Sequence, residues 1–399
     1  MSLATPPSHV PKELVRDFDF MSVPAAGEDI YLGWNRYRNE PDFFWTPHYG
    51  GHWVATRYED IEYIYRNYEQ FSSRIQALPK EGAPFRLPPI QMDPPEHTHF
   101  RKLLAPFFTP KSIGELGEKA RKISIDLIEG FYGKGECDFV RDFALQMPIG
   151  IFMSLVDVPA KDRLPLLAIA EKAVRGKSVQ DQLQAFEQTA AYLAPIVAAR
   201  KAKPGTDAIS AIVNGVVDGR PTTQEEIFAM CSIVLFGGLD TVASMLGLIA
   251  NFLAEHPGHR KQLLDDPKLI PQAVEEMMRR HHLVNIARVA AKDFVYKGID
   301  FKEGDVVLTP TPLAGLDERA YADPLKVDFH RQGPPSLVFG RGPHQCIGSF
   351  LARTELKVFV EEWLARIPDF RIKPGSKAEM RGGRVHTVAH LPLVWEVKR

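Results

Sequence analysis

Ten residues, Phe339 to Gly348 (FGRGPHQCIG), place one cysteine, Cys346, in a glycine-rich loop that runs directly into an apolar helical pattern, Ile347 to Leu364. The free backbone N–H groups and the dipole of a first helical turn favour a thiolate at such a position. Gly340, Gly342 and Gly348 let the backbone approach a flat ligand closely. A metal-ligating thiolate is the chemistry this arrangement serves; the alternative is a buried cysteine in an ordinary loop, and the rest of the chain decides between them.

Helical periodicity dominates that chain. Apolar residues recur at three- and four-residue steps over Ile113 to Tyr132, Val179 to Lys203, Glu225 to Glu255 and Ile347 to Ile367. Strand-like alternation is confined to His52 to Thr56 and to Ala287 to Pro310, where FVYKGIDFKEGDVVL carries β-type runs separated by turn glycines. The fold class expected is therefore mainly α with a small β region. No Gly/Ser linker, low-complexity run or repeat divides the 399 residues, so a single domain over 1–399 is expected.

A 45% apolar content and a formal charge of −1 suit an enzyme-sized core with no global attraction to nucleic acid. The start lacks a charged region followed by an apolar one, and the longest apolar stretch, near Ile227 to Leu239, falls short of the ~20 residues of a membrane span. Cys137, Cys231 and Cys346 lack disulfide or zinc spacing. A cytoplasmic protein is expected.

The pattern Glu225 to Glu255 is apolar enough for a central buried helix, yet Gly237, Gly238, Asp240 and Thr241 sit at its middle. Two interior glycines cost about 1 kcal/mol each relative to alanine, and a buried carboxylate costs more unless paired. Removing side chains there lets a flat ligand lie against the helix, and Thr241 can open the backbone ladder into a notch. A helix kink with a capping Asp would also produce this insert. Further along, Glu276 and Arg279 are three residues apart on one helix face and can pair. His97 and Arg101, four apart, lie on a helix opening after Pro94 and Pro95.

These motifs together resemble the cytochrome P-450 haem-thiolate monooxygenases, whose cysteine loop reads FGxGxHxCxG or a near variant; all six fixed positions are present. The resemblance runs from about Pro11 to the C-terminus. It is nearest the soluble bacterial camphor-hydroxylase branch, through GGHWVATR, QMDPPEH, KPGTDAIS and LARIPDF among others. It implies the cytochrome P-450 fold, with haem b (iron protoporphyrin IX) between the long central helix and the cysteine loop. Cys346 would be the axial iron ligand, with Phe339, Gly340, Gly348, Gly237 and Gly238 against the ring. His97, Arg101, Arg288 and His344 would hold the propionates. Asp240 would relay protons and Thr241 would position dioxygen and its water, with Arg175 a candidate partner for Asp240. Glu276 and Arg279 would be structural, locking the cysteine-loop side of the core with a third partner from DPLKVDFHR, residues 323–331.

Selectivity lies in loops. The branch carries a tyrosine whose hydroxyl holds the substrate carbonyl, and the matching residue here is Phe85, so a donor is lost at a scale of about 1 to 3 kcal/mol. The expected pocket is apolar: Phe85, Leu87, Ile90, Ile233, Phe236, Leu283, Val284, Ile286 and Val385. A monocyclic terpenoid or norisoprenoid suits it better than camphor. With no GxGxxG after a strand, no flavin module and no ferredoxin-like cysteine cluster, electrons must come from a separate [2Fe-2S] ferredoxin and its flavoprotein reductase. Lys102, Arg341, Arg353 and Lys357 are candidates for docking it. A peroxide-driven peroxygenase and a non-catalytic haem-thiolate sensor are the competing readings; the acid and alcohol at 240 and 241 speak against both. A monomer is expected.

Overall fold

The computed structural model describes residues 3–23, 29–78, 86–175 and 178–398. The chain divides into two compact units: residues 1–98, 278–346 and 381–386 form one, and residues 99–277, 347–380 and 387–399 the other. Because each unit is assembled from separated stretches, no linker marks their boundary in the sequence.

The first unit is built on a five-stranded sheet. Its strands are β1 (Phe43–Thr46), β2 (His52–Ala55), β3 (Phe71–Ser72), β4 (Asn285–Ala290) and β5 (Val306–Pro310), in the order β1-β2-β5-β4-β3. All neighbours are antiparallel except β2 and β5, where Trp53 pairs with Val307. FFWT and HWVA are mostly aromatic or β-branched and buried at every position, the composition of a strand covered on both faces. Phe71 and Phe301 pack edge to face at 5.6 Å, and Trp53 and Phe301 at 5.5 Å. Between β4 and β5 the expected β-type runs form a hairpin, Phe294–Tyr296 with Ile299–Phe301. Its turn holds Lys297 and Gly298 at positive φ, as tight hairpins require.

Two buried histidines of this unit, His282 and His386, are held neutral, since burial lowers their pKa values to about 3 and about 4. His282 Nδ1–H donates to the Arg279 carbonyl at 2.6 Å and its Nε2 accepts from Ser336 Oγ at 3.0 Å. His386 Nε2 accepts from the Trp34 indole N–H at 3.2 Å. At pH 5 the unfolded chain protonates both rings while the folded chain protonates neither. Their contribution to stability is therefore complete above pH ~6.5 and lost as pH falls below it, with a slope approaching two protons, about 2.7 kcal/mol per pH unit. Urea unfolding at pH 7, 6 and 5 should show a midpoint that drops with pH; a midpoint independent of pH over that range contradicts this account.

The second unit is helical. Its helices include α1 (Pro110–Tyr132), α2 (Gln146–Val156), α3 (Arg163–Arg175), α4 (Val179–Ala202), α5 (Ala208–Val213), α6 (Gln224–Glu255), α7 (Ile270–Arg280, whose last three residues belong to the first unit) and α8 (Ser349–Arg366). The four periodic segments of the sequence are thus α1, α4, α6 and α8, with ends displaced by three residues at most. Gly117 of α1 lets α8 come close, since a Cβ there would stand 2.9 Å from Thr354. Farther along the pair, Trp363 of α8 packs against Phe131 of α1 at 6.0 Å. A three-stranded sheet, Phe370–Ile372, Pro392–Trp395 and Glu136–Asp138 in that order, completes this unit.

Helix α6 starts on a capping box, Thr223 and Glu226 exchanging bonds with each other's backbone. At its end Arg260 Nη1 donates to the carbonyls of Leu253 (2.9 Å) and Phe370 (2.7 Å). Contrary to the expectation from its uninterrupted apolar run, this 32-residue helix is long and apolar enough to cross a membrane; 71% of its most apolar window is nevertheless buried inside the protein, as befits a core helix.

Candidate functional site

In the first unit the cysteine loop is closed by its own backbone. Cys346 N–H donates to the Phe339 carbonyl at 2.9 Å, Gln345 N–H to Gly342 at 3.1 Å and Gly340 N–H to Leu337 at 2.8 Å. Gly340 and Gly342 both take positive φ, 66° and 68°. Gly342 is also irreplaceable on space, because a Cβ there would lie 2.4 Å from the Tyr65 carbonyl. At Gly340 a Cβ would meet nothing within 4 Å. Phe339 is half-buried. The three cysteines form no disulfide. Burial raises the Cys137 thiol far above its ordinary range and pushes Cys231 up to about 12, whereas Cys346 is exposed on its loop. The helix after the loop begins at Ser349, with Gly348 as its N-cap, rather than at Ile347 as periodicity suggested.

Three of the four propionate candidates gather in this unit. His97, 2% exposed, faces His344 with ring centroids 4.2 Å apart. His344 Nε2 bonds the Met92 carbonyl at 2.8 Å. Arg288, on β4, is 3% exposed, sends Nη1 to the Ala287 carbonyl at 2.9 Å and lies over the Tyr65 ring at 5.3 Å. Burial lowers its pKa. Tyr65 is a member of this cluster that the sequence did not single out. Its ring supports the guanidinium while its hydroxyl accepts from Thr309 Oγ1 at 3.1 Å. Only the spatial meeting of helix Tyr58–Arg66 with a strand more than 200 residues later reveals it.

The expected pocket residues of this unit also converge. Val284 and Val385 form an isolated β-bridge, and His386 N–H donates to the Leu283 carbonyl at 2.8 Å. Val284 and Ile286 are two apart on one extended stretch and point to one side. Leu87 is buried and Ile90 half-buried. Phe85 lies outside the described residues.

In the second unit α6 runs unbroken through Gly237, Gly238, Asp240 and Thr241. The expected opening of its ladder is thus not an interruption. Instead Thr241 Oγ1 donates to the Gly237 carbonyl at 2.9 Å, adding a second donor to a helical acceptor, a bond that bends helices without breaking them. A Cβ at Gly237 would meet no atom within 4 Å, and one at Gly238 would touch Phe152 at 3.4 Å. Asp240 is buried. Phe236 is buried with its ring against Phe186 at 5.4 Å, and Ile233 is half-buried. Arg101 is half-buried on helix Glu96–Leu104. The Arg175 side chain lies outside the described residues.

Glu276 and Arg279 are both buried on α7. From the segment 323–331, in which a third partner is expected, two backbone carbonyls accept from Arg279. Arg279 Nη1 donates to the carbonyls of Gly315 (2.8 Å) and Pro324 (2.5 Å), and Nη2 to Lys326 (3.1 Å). Of the docking candidates, Lys102 is exposed, but Arg353 is paired with Glu275, Nη2 to Oε2 at 3.2 Å. Arg341 donates to the carbonyls of Gly340 and Pro335, and Lys357 lies 3.6 Å from Glu361. Arg353 in particular has its charge offset within its own unit.

Comparison with known proteins places these observations. The cytochrome P450 family profile matches residues 171–383. The chain is 32% identical to a probable cytochrome P450 127A1 of Sinorhizobium fredii, over 98% of this chain and 96% of that protein. Among solved structures it resembles CYP101J2, with 38% identity, a TM-score of 0.91 and coverage of 99% of this chain and 100% of that one. It likewise resembles cytochrome P450 CYP101C1, with 36% identity, a TM-score of 0.90 and coverage of 98% and 100%.

Proposed function

The chain belongs to the cytochrome P450 family and is a monooxygenase whose cofactor is haem b; from that premise we propose that it hydroxylates a monocyclic terpenoid or norisoprenoid at an unactivated C–H bond, with electrons from a [2Fe-2S] ferredoxin and its flavoprotein reductase. The observation that carries the substrate class is the apolar side shared by Val284, Ile286 and Val385, where two extended segments meet at the Val284–Val385 bridge. Such a wall rewards apolar area and discriminates weakly among polar groups.

The residues present fit haem. Arg288 is a buried guanidinium that hydrogen-bonds a neighbouring carbonyl and makes no direct ion pair among the described residues, Asp93 acting on it only from a distance. A buried charge of this kind requires an anion, and a propionate supplies one. Cys346, an exposed thiol beside glycines at positive φ, would be the donor for the iron. His97, Arg288 and His344 of the first unit, and Arg101 of the second, would hold the propionates, Arg288 resting on Tyr65. When bound, haem supplies dioxygen binding and one-electron redox chemistry.

The remaining work falls to the chain. A Thr241 hydroxyl that donates its proton to the Gly237 carbonyl keeps its lone pairs for accepting from a protic ligand. Thr241 therefore orients a water or a protonated oxygen by accepting from it, and Asp240, buried one residue before, delivers protons along the helix. The apolar wall excludes water from the substrate side.

The test is turnover by the haem-loaded protein with NADH, a ferredoxin and its reductase, after a panel of terpenoids, norisoprenoids and camphor has been ranked by the haem spin-state shift. Hydroxylated product from a monocyclic ligand supports the proposal, and camphor shifting the spin state as completely as the best of these ligands overturns the substrate class. Product from hydrogen peroxide alone, without reductant, would favour the peroxygenase reading. In Thr241→Ala, product per NADH should fall about ten- to a hundredfold, the scale of one hydrogen bond to a charged or nearly charged partner. NADH consumption should continue. Coupling equal to the parent's would remove Thr241 from this role.

A further inference from the structure

Gln76, just after strand β3, meets two stretches of the first unit that both carry expected pocket residues. Its backbone carbonyl accepts from the Ala287 N–H at 2.9 Å, next to Ile286 on β4. Its side-chain Nε2–H donates to the Ile90 carbonyl. One residue thus joins the backbone at Ile90 to the backbone beside Ile286. Both isoleucines are half-buried, so the protein leaves part of each apolar surface uncovered.

The turn that holds Ile90 is otherwise closed largely on itself. Gln91 N–H donates to the Leu87 carbonyl at 2.9 Å, Gln91 Oε1 accepts from the Leu87 N–H at 2.9 Å, and Met92 N–H donates to the Pro89 carbonyl at 3.2 Å. Arg86 grips Glu96 through two bonds, at 3.0 and 2.7 Å. These bonds fix the shape of the turn but not its distance from the sheet. Two ties to the β3 stretch set that distance. Asp93, three residues past Ile90, accepts from the Ser73 N–H at 2.8 Å and from the Ser72 hydroxyl. The Gln76 carboxamide holds Ile90 itself and is the tie nearer the apolar pair. Gln76 is half-buried, so its side chain adds little to the core, and the bond to Ile90 is what its amide supplies.

We infer that Gln76 is a positioning residue for substrate selectivity: its carboxamide fixes the separation of Ile90 from Ile286, and with it the width open to an apolar ligand. This rests on the reading of those two residues as pocket walls. Without the amide donor the turn gains freedom that a ligand must remove on binding, which lowers affinity. One hydrogen bond sets the scale at about tenfold.

The test titrates the haem-loaded protein with imidazole and with phenylimidazole. Both ligate the iron through a ring nitrogen, so the difference between them reports what the phenyl group meets. Gln76→Ala and the near-isosteric Gln76→Glu, which at neutral pH has no proton to offer the Ile90 carbonyl, should each weaken phenylimidazole about tenfold and leave imidazole unchanged. Gln76→Lys retains a donor and should recover most of the phenyl preference. Should Gln76→Ala fail to load haem, the Gln76→Glu and Gln76→Lys pair carries the comparison at nearly constant side-chain length. Parental phenylimidazole affinity in either donor-free variant, or equal losses for both probes, overturns the inference, since a general loosening of the fold moves the two together. A parent that hydroxylates monocyclic terpenoids while the variants keep its probe affinities sinks the role of Gln76 and spares the substrate class. A parent that no terpenoid or norisoprenoid shifts, with variants that still lose the phenyl preference, sinks the substrate class and supports Gln76.

Discussion

Cys346→Ala should yield a folded chain in which the reduced, carbon-monoxide-treated protein no longer shows the spectrum of thiolate-bound iron, with hydroxylation at background. The other cysteines cannot substitute. Cys137 and Cys231 are buried, and desolvation keeps both as thiols at neutral pH, Cys231 with its pKa pushed up to about 12. Cys137→Ala and Cys231→Ala should therefore retain the parent spectrum. The Phe339–Cys346 backbone bond and the positive-φ glycines persist without the sulfur, so the loss should be one of ligation, not of fold. A thiolate spectrum surviving in Cys346→Ala, or vanishing in either control, would remove the basis for the assigned ligand.

The second large effect concerns stability. Arg279→Ala withdraws one guanidinium from the carbonyls of Gly315, Pro324 and Lys326. Each buried acceptor left without that donor costs about 1 to 3 kcal/mol, and breaking a buried charged network costs about 3 to 5 kcal/mol overall. Against a typical total of about 5 to 15 kcal/mol, little soluble protein should survive. Lysine is no remedy, because a compact ammonium cannot reproduce the planar fork that reaches two separate segments. Gly315→Ala attacks the same knot from the other side, since its Cβ would lie 2.3 Å from His282 Nδ1 and 2.5 Å from the Arg279 carbonyl. Both variants should show reduced soluble yield and lower unfolding midpoints in denaturant. A parental midpoint for Arg279→Ala would show that the three carbonyls find other donors.

The limits of sequence reading have physical causes. Helix α6 was legible, down to its middle glycines, because 3.6-residue periodicity over 32 residues needs no partner to be seen. The strand pairing of Trp53 with Val307 was not, because β2 and β3 are only four and two residues long and pair with segments some 220 or more residues away. The Arg341, Arg353 and Lys357 charges looked available because ion pairs and carbonyl acceptors leave no mark on composition.

What the sequence by itself determined was the family and the helical framework. The Cys346 loop, the acid and alcohol at 240 and 241, and the four long helical periods are local patterns in which residue type and spacing suffice. What only the tertiary structure decided was the company these residues keep: Tyr65 beneath Arg288, Glu275 against Arg353, the Thr241 proton given to Gly237, and the carbonyls of Gly315, Pro324 and Lys326 among the partners of Arg279. Backbone carbonyls are the same at every position of the chain, so nothing in a string of side chains says which of them a buried arginine will find.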